Sequence, residues 1–203
     1  MFPFDVILFD VGGVLLTNGW DTRERALAIE HFHLDPIAFE ARHREVYPAW
    51  ERGAIPVGAY LDATVFTEPR SFSPEAFFAF MIAQSKVLPD SALGTLKQLA
   101  ASNNYMLGAL NNEGRETNKH RFEAFGLFNY FKVALSSCYL GLRKPDTAMY
   151  QAALDILGQP AERILFIDDR AENVEGALNA GMKAIRFEGE RGLRKDLESL
   201  GVL

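Results

Sequence analysis

Short apolar runs that stop at an acid, an amide or a glycine set the rhythm of this chain. Val6-Ile7-Leu8-Phe9 comes first and ends at Asp10. Tyr105 to Leu110, Lys132 to Ser136, Ile164 to Ile167 and Lys183 to Phe187 follow. Short runs without strict alternation read as strands buried on both faces of a sheet. Helical patterns lie between them: 90–102 with Asp90-Ser91 as capping candidates, 115–124, 146–157 stopped by Gly158, 173–180 stopped by Gly181, and a last helix after Phe187. With a first strand at 5–10, the alternation predicts an α/β fold: a doubly wound, five-strand parallel sheet with helices on both faces.

Residues 19–86 break this alternation. They are aromatic and helical in pattern, with expected breaks at Pro36, Pro48, Pro56, Pro69 and Pro74. The organisation expected is a core of residues 1–18 and 87–203 with a helical insert, 19–86, over the C-terminal edge of the sheet. Trp20, Tyr47 and Trp50 read either as the insert's core or as pocket wall.

Composition narrows the partners. The formal net charge of −6 and the lack of a long basic run argue against nucleic acid. No apolar stretch approaches the ~18 residues that span a membrane. The single cysteine, Cys138, excludes an intrachain disulfide and reads as a small buried hydrophobe, which fits a cytoplasmic location. Small anionic ligands remain open, because they respond to the local field of a cleft. Monomer and homodimer both remain open.

The candidate chemistry lies where strands end. Asp10 closes the first, Asn111-Asn112 the second and Asp168-Asp169 the fourth; Gly141-Leu142-Arg143-Lys144-Pro145 is the loop after the third. In a doubly wound sheet these loops converge on one crevice at the C-terminal edge. Simpler readings stand beside this one. Asn111-Asn112 suit a turn, Asp168-Asp169 suit a helix N-cap, and Lys144 suits a solvated loop.

Taken in order, Phe9-Asp10-Val11-Gly12-Gly13-Val14-Leu15, Leu110-Asn111-Asn112, Gly141-Leu142-Arg143-Lys144-Pro145 and Phe166-Ile167-Asp168-Asp169 with Asn173 resemble the four motifs of the haloacid dehalogenase superfamily. The match runs over nearly the whole chain, with 19–86 at the place of that family's helical cap. The resemblance implies a magnesium-dependent phosphatase acting on a small phosphorylated metabolite. Asp10 would be the nucleophile. Asp10, Asp169 and the Gly12 carbonyl would hold Mg2+, and Asn111 and Lys144 the phosphoryl oxygens. Asn112 and Arg143 would contact substrate or its surroundings, Asp168 would pair with Lys144 or hold a metal-bound water, and Asn173 would fix loop geometry. Arg52 reads either as a plain surface arginine or as a candidate for a second anionic group. The residue types make chemical sense without the family. A carboxylate approaching a phosphate meets repulsion of about 4 kcal/mol at ~4 Å and an effective dielectric near ~20, so a cation must offset it.

Position 12 departs from the family pattern. Most of its phosphatases carry a second aspartate there as acid and base, and Gly12 keeps only the carbonyl. The branch resembled is the small capped phosphatases with aspartate-x-glycine, some of which act on sugar phosphates such as glucose 1-phosphate. Water, substrate hydroxyls or a cap residue such as Glu51 would replace the acid, with a bias toward leaving groups that need little protonation. Two alternatives remain: a 2-haloacid dehalogenase, whose halide leaves without a proton, and a non-catalytic phosphate- or metal-binding protein.

Overall fold

The apolar runs pair as one five-stranded parallel sheet in the order β3-β2-β1-β4-β5. The computed structural model describes residues 3–203, so the first two residues of the expected core segment 1–18 lie outside the described residues. In chain order the elements are β1 (Val6–Phe9), α1 (Thr22–His31), α2 (Pro36–Glu51), α3 (Val57–Thr64), α4 (Pro74–Ala83), α5 (Leu93–Ser102), β2 (Met106–Asn111) and α6 (Arg115–Ala124). They continue with β3 (Val133–Ser136), α7 (Ser137–Leu140), α8 (Thr147–Leu157), β4 (Ile164–Asp168), α9 (Ala171–Asn179), β5 (Lys183–Arg186) and α10 (Glu190–Ser199). No helix among the described residues is long and apolar enough to cross a membrane.

Strand periodicity divides the core into two layers. Ile7, Phe9, Leu107, Ala109, Leu165 and Ile167 point to one face and pack with Leu96 and Leu99 of α5, Phe122 of α6 and Leu193 and Leu197 of α10. Val6, Leu8, Leu110, Ile164 and Phe166 point to the other and meet Met149, Tyr150 and Ala153 of α8 and Ala177 of α9. Central β1 is buried throughout, which explains its unbroken apolar sequence. The register sets Phe9 beside both Ala109 and Ile167, so Asp10 and Asp168 leave their strands at the same level.

Several boundaries differ from the sequence expectation. Pro48 sits inside α2 instead of breaking it, while Pro36 and Pro74 open helices and Pro56 precedes one. Helix α9 begins at Ala171, because Asp168 Oδ1 accepts the Arg170 N–H and turns the chain early. Asp146 precedes α8 without capping it; its carboxylate is held by Arg52 Nη2 at 2.9 Å. At α5, Ser91 Oγ reaches only the Leu93 N–H, at 3.4 Å, and Ala92, the N-cap residue itself, offers no side-chain acceptor. Glu190, from the start of α10, accepts the Thr95 N–H at 3.0 Å and the Thr95 hydroxyl at 2.8 Å, so the acceptor comes from far along the chain.

The four helices α1–α4 enclose their own apolar cluster, including Trp20, Phe39, Trp50, Tyr60 and Phe77. Trp50 stacks on Tyr60 with centroids 4.8 Å apart. The C-terminal end of α2 is pinned to the sheet unit. Ser137 Oγ donates to the Glu51 carbonyl at 2.6 Å and Trp50 Nε1 to Glu116 at 3.2 Å. A side chain at Gly114 would strike the Trp50 indole, its Cβ 2.2 Å from Cε2. Cys138 is buried, as expected, and burial pushes its thiol up to about 12.

The distant acceptor on α5 has a measurable consequence. Glu190→Ala removes it and costs about 1 kcal/mol, the worth of a helix cap. Glu190→Gln keeps an acceptor oxygen and costs less. Urea midpoints of the two variants check the order, and equal midpoints would contradict it.

Candidate active site

Four loops deliver side chains to the C-terminal edge of the sheet. Asp10 follows β1 and remains 8% exposed. Its backbone N–H is tied to the Ile167 carbonyl at 2.8 Å, and its Oδ1 accepts the Val11 N–H at 2.7 Å. Lys144, only 1% exposed, places Nζ 3.1 Å from Asp10 Oδ1 and 2.6 Å from Asp168 Oδ2. Asp168 is wholly buried and held in turn by the Asn173 amide at 3.0 Å and the Arg170 N–H at 2.9 Å. A continuous chain thus runs from Asn173 through Asp168 and Lys144 to Asp10. Asn112 braces it from the side: its amide donates to the Lys144 carbonyl at 2.8 Å and accepts the Lys144 N–H at 2.9 Å.

Asp169 completes the cluster. One ligand oxygen from each of Asp10, Asp168 and Asp169 falls within a mutual 4.8 Å. Asp169 Oδ1 is buried with no hydrogen-bond partner. Gly13 makes this approach possible. It sits at φ +73°, and a Cβ there would lie 2.2 Å from Asp169 Oδ2. The donor set is all oxygen and carries an uncompensated buried lone pair, which fits a hard divalent cation. Burial pushes the Asp10 carboxyl up to about 7; Lys144 opposes the rise, while Asp168 and Asp169 add to it. Burial and then Asp168 push Asp169 up as well. For Lys144, burial works against the charge, yet Asp10 and Asp168 hold its pKa above the ordinary value.

Above these groups lies a cavity of about 400 Å3. Asp10, Gly12, Asn112, Lys144 and Asn173 line it from the sheet; Trp20, His43, Arg44, Tyr47 and Glu51 line it from the insert. Cations surround it. Arg143 pairs with Glu51 at 2.7 Å, Arg170 with Asp21 at 2.8 Å and Arg25 with Glu40 at 2.8 Å. Arg121 pairs with Glu113 and also donates to the Thr17 carbonyl. His43 is neutral by construction. Tyr60 Oη accepts from Trp20 Nε1 at 2.8 Å and lies 2.8 Å from His43 Nδ1, so its own proton is best satisfied on Nδ1. That leaves the imidazole N–H on Nε2. Burial and then Arg25 push His43 down to about 4.

A family model, haloacid dehalogenase-like hydrolase, matches residues 4–181. The chain belongs to that family. It is 30% identical to flavin mononucleotide hydrolase 1 of Arabidopsis thaliana over 93% of this chain and 78% of that protein. It is 25% identical to phosphoglycolate phosphatase of Aquifex aeolicus, over 88% of this chain and 82% of that one. Among solved structures, a HAD-family enzyme of Bacteroides thetaiotaomicron in complex with magnesium and inorganic phosphate superposes with a TM-score of 0.72 at 20% identity, covering 92% of this chain and 95% of the other. That last likeness is one of fold.

Within this hydrolase, the expected residues separate into two groups. Asp10, Gly12, Asn112, Arg143, Lys144 and Asn173 line the cavity, with Asp168 and Asp169 directly behind. Asn111 departs from its expected place. It is 2% exposed; its Nδ2 donates to Asn118 at 2.9 Å and its Oδ1 accepts from Ser136 at 2.8 Å, so its amide braces β3 and α6 behind the cavity wall. Arg52 holds Asp146 outside the cavity lining. Sequence reasoning missed His43, Arg121 and Arg170. Arg121 lies on a buried stripe of α6 with Thr117, Asn118 and Phe122, an unusual place for an arginine that the polar sequence of the helix does not reveal.

The buried neutral imidazole has a defined linkage. In the unfolded chain His43 takes up a proton near 6.5, and in the folded chain only near 4. The unfolded state therefore binds more protons between those values, and stability falls as pH falls through that window. Relative to His43→Gln, the wild type loses denaturation midpoint from pH 6.5 down to 4. Parallel curves for the two proteins would contradict the assignment.

Proposed function

We propose that this hydrolase is a magnesium-dependent phosphatase of small phosphomonoesters that works through an aspartyl-phosphate, with the insert as its cap. The observation that carries the reading is the buried Asn173–Asp168–Lys144–Asp10 chain, open to a cation-lined cavity beside an unpartnered Asp169 oxygen. The phosphatase names of the two relatives support it. A haloacid substrate gives the acid pair Asp168-Asp169 no second task, whereas a phosphoryl group with its cation does.

Asp10 Oδ attacks phosphorus, the ester bond breaks, and the leaving oxygen takes the electron pair. Lys144 holds Asp10 in line and neutralises a phosphoryl oxygen; Asp168 holds Lys144 and is itself held by Asn173. Asn112 sets the height of the Lys144 backbone. Asp10, Asp169 and the Gly12 carbonyl are the groups that would hold Mg2+, and the chemistry it supplies is neutralisation of the carboxylates and the phosphoryl group. Arg143, tied to Glu51, faces the substrate side of the cavity. Water then attacks the aspartyl-phosphate and releases phosphate and Asp10.

Phosphate release from a panel of sugar, nucleotide and aryl phosphates tests the proposal. Chelation of magnesium abolishes turnover and added magnesium restores it. Asp10→Asn lowers kcat by about 10³-fold or more, and Asp169→Asn raises the magnesium concentration needed for half activity. Turnover that survives both Asp10→Asn and chelation would overturn the reading.

A further inference from the structure

Gly12 leaves a question of proton supply. An alkyl ester cannot release its oxygen as a bare alkoxide, so a proton must reach it from water, from the substrate or from a group on the cavity wall. Among the described residues the candidates on the wall reduce quickly. The arginines do not give up protons. Burial pushes the Tyr47 hydroxyl well up and His43 down to about 4, so neither exchanges a proton near neutrality. Asp21 is committed to Arg170 and to the Thr22 N–H, and Glu172 is exposed.

We infer that Glu51 of the insert is the general acid and base that replaces the side chain absent at Gly12, an assignment that rests on the phosphatase reading. Glu51 lines the same cavity as Asp10 and is 4% exposed. Its Oε1 accepts the Tyr47 hydroxyl at 2.9 Å. Its Oε2 is buried beside Arg143 at 2.7 Å, in a contact that lacks hydrogen-bond geometry, and so has no donor of its own. Its backbone is anchored to the sheet unit through Ser137 Oγ, 2.6 Å from the Glu51 carbonyl. The carboxyl therefore sits on a rigid end of α2, as a proton-transfer group must. Arg143 is next in sequence to Lys144, which contacts Asp10, so one loop links the two carboxyl groups.

The steps balance. The bond from Asp10 oxygen to phosphorus forms and the bond from phosphorus to the leaving oxygen breaks. The leaving oxygen keeps the electron pair and takes the Glu51 proton, which yields an alcohol and a Glu51 carboxylate. Glu51 then accepts a proton from water, the water oxygen bonds to phosphorus, and the Asp10–phosphorus bond breaks with its pair returning to Asp10. Glu51 is again protonated and phosphate departs.

The groups facing Glu51 are Tyr47 on its own helix, Arg143 before α8, Arg170 before α9 and Glu113 after β2. Burial raises the Glu51 pKa above its ordinary value; Arg143, the Tyr47 bond and Arg170 act in the other direction, and Glu113 adds to the rise.

Glu51→Gln keeps the size and the Tyr47 contact while removing the proton. With p-nitrophenyl phosphate, whose leaving group needs no proton, the variant gives a first turnover at the wild-type rate. A slow steady state follows, seen as a burst of about one nitrophenolate per enzyme. With glycerol 2-phosphate its turnover falls about 10²–10⁴-fold. Equal losses on both esters, or no burst, would overturn the assignment. Tyr47→Phe is a second check: it removes a bond that favours the carboxylate, so the alkaline limb for glycerol 2-phosphate moves to higher pH. An unmoved limb would overturn the assignment too. A wild type that turns over neither ester defeats the phosphatase reading itself, a result distinct from these.

Discussion

The structure turns on one buried ammonium group. Lys144 is 1% exposed and can stay charged there only because Asp10 and Asp168 both touch it. Breaking such a buried contact by removing one partner typically costs about 3–5 kcal/mol, since it strands the remaining charge. The partners are therefore fixed as firmly as the lysine. Asp168 spends its remaining capacity on Asn173 and the Arg170 N–H, whereas Asp10 keeps an oxygen toward the cavity. In the proposed mechanism this asymmetry would make one carboxylate a support and the other the reagent. The same counting leaves the cluster short of positive charge, with Asp10 pushed up to about 7 by burial.

The parallel sheet makes this crowding possible. Strands that leave the core at one level deliver side chains from distant parts of the chain to a single edge. Here Asp10, Asn112, Lys144 and Asp168 converge although more than a hundred residues separate the first from the second. Two local devices refine the approach. Gly13 yields its Cβ space to Asp169, and Asn112 clamps the Lys144 backbone with both ends of its amide. Helices α1 and α2 contribute Arg25, His43, Tyr47 and Glu51 to the cavity wall, and the α2 end is held by Ser137 and Glu116.

Strand positions and the groups at their ends were legible from sequence because burial on both faces forces unbroken apolar runs, and a run that ends in an acid is conspicuous. Helix 115–124 was placed correctly as a polar segment between two apolar runs, although which of its polar residues are buried was not legible. What was not legible depended on distant partners. The main acceptor for α5 is Glu190, far along the chain, while Ser91 nearby makes only a long contact with the Leu93 N–H. Asn111 turns inward to Asn118 and Ser136, a choice that only the packing of β3 and α6 decides. His43 becomes part of the cavity wall through Tyr60 and Trp20, which lie on other segments of the insert.

Asp10 is proposed to carry the phosphoryl group between substrate and water. Mixing the magnesium-loaded enzyme with a phosphorus-labelled aryl phosphate, quenching in acid within milliseconds and mapping the label by mass spectrometry tests it most directly. A phosphoryl group is expected on the peptide that contains Asp10, formed before free phosphate and lost as phosphate accumulates. Label on another residue, or phosphate release with no labelled protein at any quench time, would contradict it.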